Sequence, residues 1–356
     1  MAVDENPMLL FDAHLDLALN AVDWNRNLEN PVSEMRAAEK GMPDPGRGTN
    51  TVSFAELKKA GVRLCVSTLL ARREPDVDHS FGWTTYETCY AMAHAHLAWH
   101  RAMERRELLR MIRTKRELEE HASLVTNGDG PLGFILSMEC GDAVLDPDQI
   151  HEWHAAGLRA IGITHYGLNR FGGGTATDAP LHADAFPLLE NIDRLGMVLD
   201  LTHLSDVAFW QALDAFGGRV IGSHQNSRRW ANWQRQWSDE QFKAVIERDG
   251  VVGAACDAIM LQDGWVKGKS SREVTLERVV DNIDHVCQLA GNALHAGIGS
   301  DLDGGYGCEQ TPKDLDSIAD LRRIPDLLQR HGYSKSDIEA IMHGNWIRLY
   351  GESLPS

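Results

Sequence analysis

No Cys-x-x-Cys pair occurs in the chain, and its six cysteines (Cys65, Cys89, Cys140, Cys256, Cys287 and Cys308) lie far apart. That excludes a compact disulfide framework and leaves reduced thiols as the expectation. There is no G-x-S-x-G turn to present a serine nucleophile, and Cys140, although next to Glu139, has no evident base, so covalent catalysis is disfavoured. "GIGSDLDGGYG" lacks the Lys-Ser/Thr of a P-loop and the G-x-G-x-x-G spacing, so no phosphate cradle is expected. Positive charge is scarce: 35 Lys and Arg against 52 Asp and Glu give a net charge of -17, which disfavours nucleic acid and anionic membranes as partners. No stretch approaches the roughly 20 apolar residues of a membrane span. The start, "MAVDENPMLLFDAHLD", has no basic segment followed by an apolar core, so a cytoplasmic location is expected. With no internal repeat, Pro/Ser-rich linker or compositional break, a single domain over residues 1–356 is the economical reading.

What the chain does have is a recurring apolar run of strand length. Eight can be counted: "MLLFDAH" (8–14), "VRLCVSTLL" (62–70), "LGFILSME" (132–139), "LRAIGITH" (158–165), "MVLDLTH" (197–203), "RVIGSH" (219–224), "VVGAACD" (251–257) and "HAGIGSD" (295–301). They mostly alternate with segments of helical period, the pattern of a parallel sheet, and eight suits a closed (β/α)8 TIM barrel in the α/β class. Ser205-Asp206 and Ser238-Asp239-Glu240 open helices; Gly157, Gly196, Gly217, Gly250 and Gly291 stand where helices should stop. A polar stretch over 20–52, ending in the loop-like "GMPDPGRGTN", and a long helix over 84–106 read as insertions, and two C-terminal segments read as closing helices. "LLRMIR" (108–113) is ambiguous, since an extra strand there would displace the count.

Catalytic groups of such barrels project from the C-terminal ends of the strands into one mouth. His14 and Asp16 follow the first run, Glu139 ends the third, His165 the fourth, His203 the fifth, His224 the sixth and Asp301 the eighth, so all fall at the same rim. Any one of these motifs alone would be a polar strand end; their convergence points to a transition-metal site. Imidazoles and carboxylates without thiolates suit Zn²⁺ or a similar divalent ion. The donors exceed what one catalytic zinc takes, so a pair about 3.5 Å apart, sharing a carboxylate, is expected, which is equipment for amide or ester hydrolysis. Asp301 suits a loosely held carboxylate that shuttles a proton to the leaving amine, and Asp303 a loop anchor. His94, His96 and His100, His151 and His154, and His343 lack acidic companions in a ligating register and read as packed or solvated. The loop "HQNSRRWANWQRQWSD" (224–239) is open between two readings: an arginine clamping a carboxylate with tryptophans walling the pocket, or a surface whose aromatics meet a neighbouring subunit.

In order along the chain, "FDAHLDL", "SMECG", "GITHYGLN", "DLTHLSD", "GSHQNS" and "GIGSDLDG" resemble the six motifs of the membrane (renal) dipeptidase family of zinc peptidases, amidohydrolase-like barrels. The resemblance covers nearly the whole chain. It implies a metal-dependent dipeptidase with two Zn²⁺ ions, other divalent metals being possible, His14 and Asp16 on one, His203 and His224 on the other, and Glu139 bridging. It further implies His165 steadying the oxyanion, Asp301 as acid/base, Arg235 gripping the substrate carboxylate, and a homodimer. Four departures stand out: Leu15 for asparagine, Cys140 for glycine, "RQWSD" for R-N-[VI]-x-D, and no clear equivalent near "CDAIM" of a family tyrosine after strand seven. Neither the leader nor the lipid-anchor tail of the secreted branch is seen, so the likeness is to the soluble bacterial branch. Two alternatives remain: hydrolysis of an N-acyl amino acid, cyclic amide or lactone on the same barrel, or a non-catalytic, metal-stabilised binding protein.

Overall fold

A computed structural model describes residues 7–44, 46–74, 82–125 and 130–356. The first six residues, part of the segment read above for a leader, and Pro45 in "GMPDPGRGTN" lie outside the described residues. Nine strands form one parallel sheet: β1 Leu10–Leu15, β2 Val62–Leu70, β3 Leu109–Met111, β4 Leu132–Glu139, β5 Leu158–Gly162, β6 Val198–Asp200, β7 Val220–Gly222, β8 Val251–Ala254 and β9 Ala296–Ile298. β2 pairs with β4 from Leu64 against Gly133 through Leu70 against Glu139, and β1 pairs with β9 at Asp12 and Ile298, which closes eight of the strands into a ring. The eight-stranded barrel read from the sequence is therefore present.

The ambiguous segment is indeed a strand, but it leaves the count intact. β3 lies along the first residues of β4, Leu109 against Leu132 and Met111 against Phe134, while β5 takes up the same edge from Leu136 onward. A long strand thus serves two short neighbours on one edge.

Parity along the strands separates two cores. Phe11, Ala13, Leu64, Val66, Ile135, Ala160, Val198, Ile221 and Val251 form one cluster. Side chains from seven different strands can meet only in the lumen. The C-terminal helix Asn345–Ser353 seals that cluster: Tyr350 stacks on Phe11 with ring centroids 5.9 Å apart, and Trp346 Nε1 donates to Ile298 O at 3.1 Å. Residues of opposite parity, such as Leu10, Cys65, Leu69, Leu136 and Met138, join the larger cluster with the outer helices.

Helix boundaries follow capping chemistry. Ser205 Oγ accepts from Ala208 N at the start of Asp206–Ala215, and Ser238 makes a capping box with Gln241 at the start of Asp239–Glu247. Gly157, Gly196 and Gly291 take left-handed φ at helix ends, as expected. Gly217 and Gly250 do not; the residue before Gly250, Asp249, takes the left-handed turn instead, at φ 54°. The inserted helix spans Tyr86–Arg105. Its His96 and His100 are fully buried and do not chelate: His96 Nε2 meets Asp23, and His100 Nε2 meets Ser67 Oγ at 2.8 Å. No helix among the described residues is long and apolar enough to cross a membrane.

Candidate active site

The strands stop earlier than the sequence suggests. Only Glu139 ends its strand; β5, β6, β7 and β9 end at Gly162, Asp200, Gly222 and Ile298, so His165, His203, His224 and Asp301 stand two or three residues beyond. The ladder has to break for these side chains to swing toward the barrel axis. His203 does so at φ 68° and Asp301 at φ 57°, left-handed values that a non-glycine residue adopts only at a cost. His14 lies within β1, and Asp16 just past it.

Two buried carboxylates below the rim hold these breaks in place. Asp12 Oδ1 accepts from His14 N at 3.2 Å and from Ser300 N at 2.8 Å, linking the segments that carry His14 and Asp301. Asp200 Oδ1 accepts from Thr202 N at 3.1 Å and Ser223 N at 3.0 Å, doing the same for His203 and His224. Asp303 anchors the inserted segment, as its position suggested: Oδ1 accepts from Thr51 N at 2.7 Å and Oδ2 from Val52 N at 2.9 Å.

The predicted metal-binding side chains meet at the mouth. Glu139 Oε1 lies 3.2 Å from His203 Nε2 and 3.4 Å from His224 Nε2, while Oε2 lies 3.4 Å from His14 Nε2. His14 Nε2 is 3.8 Å from Asp16 and 3.9 Å from Asp301. Among the described residues, three groups bring ligand atoms within 4.8 Å of one another: His14, Asp16 and Glu139; Glu139, His203 and His224; and His14, His224 and Asp301. Glu139 belongs to both of the first two trios, the position of a bridge.

These donors fit metal ions on grounds internal to the structure. His14 Nε2 is buried without a hydrogen bond, and the Nε2 atoms of His203 and His224 face each other at 3.1 Å. The opposite ring nitrogens are occupied: His203 Nδ1 by Thr175 Oγ1 at 3.0 Å, and His224 and His14 Nδ1 by the single hydroxyl of Ser223 at 2.8 and 3.2 Å. Hydroxyls on Nδ1 orient each imidazole with Nε2 free, the arrangement metal-binding histidines favour. Three carboxylates also converge. Burial and the charge of Glu139 push Asp16 up to about 6, and burial pushes Asp301 well above the ordinary range. Burial opposes the charge of His14, yet Glu139 and its neighbours raise it to about 10, and burial lowers His203 to about 3. Cations held among these groups relieve that crowding of negative charge.

The mouth opens into a cavity of about 340 Å³ lined by Asp16, Glu139, His165, His203, His224 and Asp301, together with Arg235. Arg235 is 3% exposed, its Nη1 donating to Gln225 Oε1 at 2.8 Å and Nη2 to His224 O at 3.0 Å. His165 Nε2 lies 3.6 Å from Glu139 Oε1, and burial holds its imidazole neutral, well below the ordinary value. The tryptophans of the same loop do not wall this cavity. Trp237 is buried in the core against Phe209 and Phe242, Trp233 Nε1 donates to Ile259 O at 3.3 Å, and Trp230 lies under the Arg278 guanidinium. A large apolar ring packs where the core can take it, and only the arginine turns toward the mouth.

Sequence reasoning missed Arg72, Tyr166, Asp257 and Met260 among the cavity-lining residues, and the hydroxyls of Thr175 and Ser223 behind it. Single polar residues beyond a strand end form no pattern; for Asp257 the one available signal was the missing tyrosine near "CDAIM".

A family model for membrane dipeptidase, Peptidase family M19, matches residues 5–353. An uncharacterised Klebsiella pneumoniae protein from the pqqA 5' region is 27% identical over 208 residues, 56% of this chain and 74% of that one. The dipeptidase tcpJ of Claviceps purpurea is 28% identical over 211 residues, 56% of this chain and 46% of its own. The chain spans about half the length of the relatives called dipeptidases. Among solved structures, the dipeptidase AC, a metallo peptidase of family M19, superposes with a TM-score of 0.79 at 24% identity, covering 99% of this chain and all of that one. A Rhodobacter sphaeroides metallo peptidase liganded with a phosphinate mimic of L-Ala-D-Ala does so at 0.79 and 23%, covering 98% and 99%. At these identities the superpositions establish the fold alone.

Proposed function

The chain belongs to the membrane dipeptidase family, Peptidase family M19, and from that premise we propose that it hydrolyses the peptide bond of dipeptides at a centre holding two zinc ions. The observation that carries the reading is the pair of ligand trios sharing Glu139 at one end of a cavity that also holds Arg235 and Asp301. His14 and Asp16 would hold one ion, His203 and His224 the other, with Glu139 between them. Such a pair, when bound, makes a water nucleophilic near neutral pH and polarises a carbonyl oxygen.

The remaining work falls to the protein's own groups. Arg235, pinned by Gln225 and the His224 carbonyl, presents its guanidinium to the substrate's free carboxylate and so fixes the register of the peptide bond against the ligand cluster. His165, kept neutral by burial, is placed to donate a hydrogen bond to the carbonyl oxygen as negative charge develops there. Asp301, whose carboxylate lies 3.9 Å from His14 Nε2 at the edge of the ligand cluster, accepts a proton from the attacking water and returns it to the departing amine.

Asp301→Asn tests the assignment. The variant should retain its metals by elemental analysis while kcat on a dipeptide panel falls by roughly 10²–10⁴-fold, the usual worth of general acid–base catalysis. A variant that cleaves dipeptides at the native rate would overturn the role given to Asp301.

A further inference from the structure

Asp257 stands three residues beyond the end of β8, lines the same cavity and is 7% exposed. Its Oδ1 is fully engaged, accepting from Ile259 N at 2.9 Å and from Gln310 Nε2 at 2.8 Å. Its Oδ2 accepts no hydrogen bond among the described residues, and the carboxylate makes no ion pair among them. The two cations nearest in effect are committed elsewhere: Lys267 Nζ donates to Gly305 O at 3.1 Å, and Arg235 is held by Gln225 and His224 O.

Capping the short helix Ala258–Leu261 requires only Oδ1, which asparagine or serine would supply equally well. A carboxylate placed there instead carries a charge into a buried wall with nothing in contact to balance it, and such burial is costly unless a counter-charge arrives. Burial accordingly pushes this carboxyl up to about 6, which leaves it mostly ionised at neutral pH.

Position along the rim decides what that counter-charge is. Arg235 lies in the loop that follows β7 and Asp257 in the one that follows β8, these strands are neighbours in the ring, and both side chains line the one cavity. A peptide held through its carboxylate by Arg235 therefore lays its C-terminal residue beside Asp257. Its α-ammonium belongs to the residue on the other side of the scissile bond, toward the β1 and β2 side of the cavity, where the Asp16 carboxylate lies with Leu19 and Leu70. Resting on the dipeptidase reading above, the geometry points to Asp257 Oδ2 as the acceptor for a cationic side chain on the C-terminal residue, so that the substrate class is dipeptides ending in lysine, arginine or a similar base.

The test is kcat/KM of the metal-loaded enzyme on Ala-Lys, Ala-Met and Ala-Glu, each with the second residue in both configurations. A charge-assisted hydrogen bond at this site should favour lysine over the neutral, similarly long methionine on the order of 10–100-fold. Asp257→Asn, which keeps the Oδ1 contacts, should bring the Lys-to-Met ratio close to one, and Asp257→Lys should turn the preference toward Ala-Glu. A wild-type ratio near one, or a preference that survives in Asp257→Asn, overturns the proposal while the dipeptidase reading stands. Failure of the wild-type enzyme to cleave any of the three overturns both.

Discussion

At Cys140 the backbone takes φ 75° and ψ 117°, immediately after Glu139. Glycine occupies such a conformation freely, whereas a side chain there costs of order 1–3 kcal/mol. The thiol recovers part of this by being buried. Cys140→Gly should therefore stabilise the protein by about 1 kcal/mol, read as a higher urea midpoint at unchanged slope; a lower midpoint would mean the buried thiol outweighs the strain. Residues of this kind mark the limit of what the sequence alone could say. His14, Asp16, Glu139, His203 and His224 were legible because few side chains can serve as ligands and these recur at or just beyond the ends of four strands. Asp257 was not, because one carboxylate after one strand has no period to betray it. Trp237 misled, because an aromatic beside a ligand motif packs into the core as readily as it faces a pocket.

Between β7, β8 and β9 the elements approach so closely that glycine is the only residue that fits. A Cβ on Gly253 would sit 2.2 Å from Ser223 O, and one on Gly299 1.7 Å from the same atom. The atom crowded is backbone, directly before His224, and it cannot rotate away. Gly299→Ala should cost about 3 kcal/mol or more, the upper end for overpacking, and should release metal, because moving Ser223 also moves the hydroxyl that orients His14 and His224. Chemical denaturation with elemental analysis of the same preparation checks both. Element types were readable from apolar runs and caps, whereas strand ends were not. The apolar pattern continues through "GITH" and "DLTH", while the hydrogen-bonded ladder stops where His165 and His203 must leave it.

For the molecule as a whole, the eight-fold count was legible because a parallel strand buried on both faces must be apolar along its length. β3 escaped clean assignment because three residues are too few to show a period. The ring gathers Asp16, Glu139 and Asp301 into one buried cluster, which bound cations would stabilise. Chelation should lower the thermal midpoint, with a free-energy difference of about 2.7 kcal/mol for metal at 100 times its dissociation constant, and zinc should restore it; a midpoint indifferent to chelator would place no bound ion in that cluster. The junction of β1 with β9, where Asp12 meets Ile298, has a further consequence in time. While the nascent polypeptide is still emerging from the ribosome, its first strand can find β2 but not β9, and His14 still lacks the aspartate at position 301. The ring, and with it the full set of rim side chains, can therefore close only after translation has all but finished.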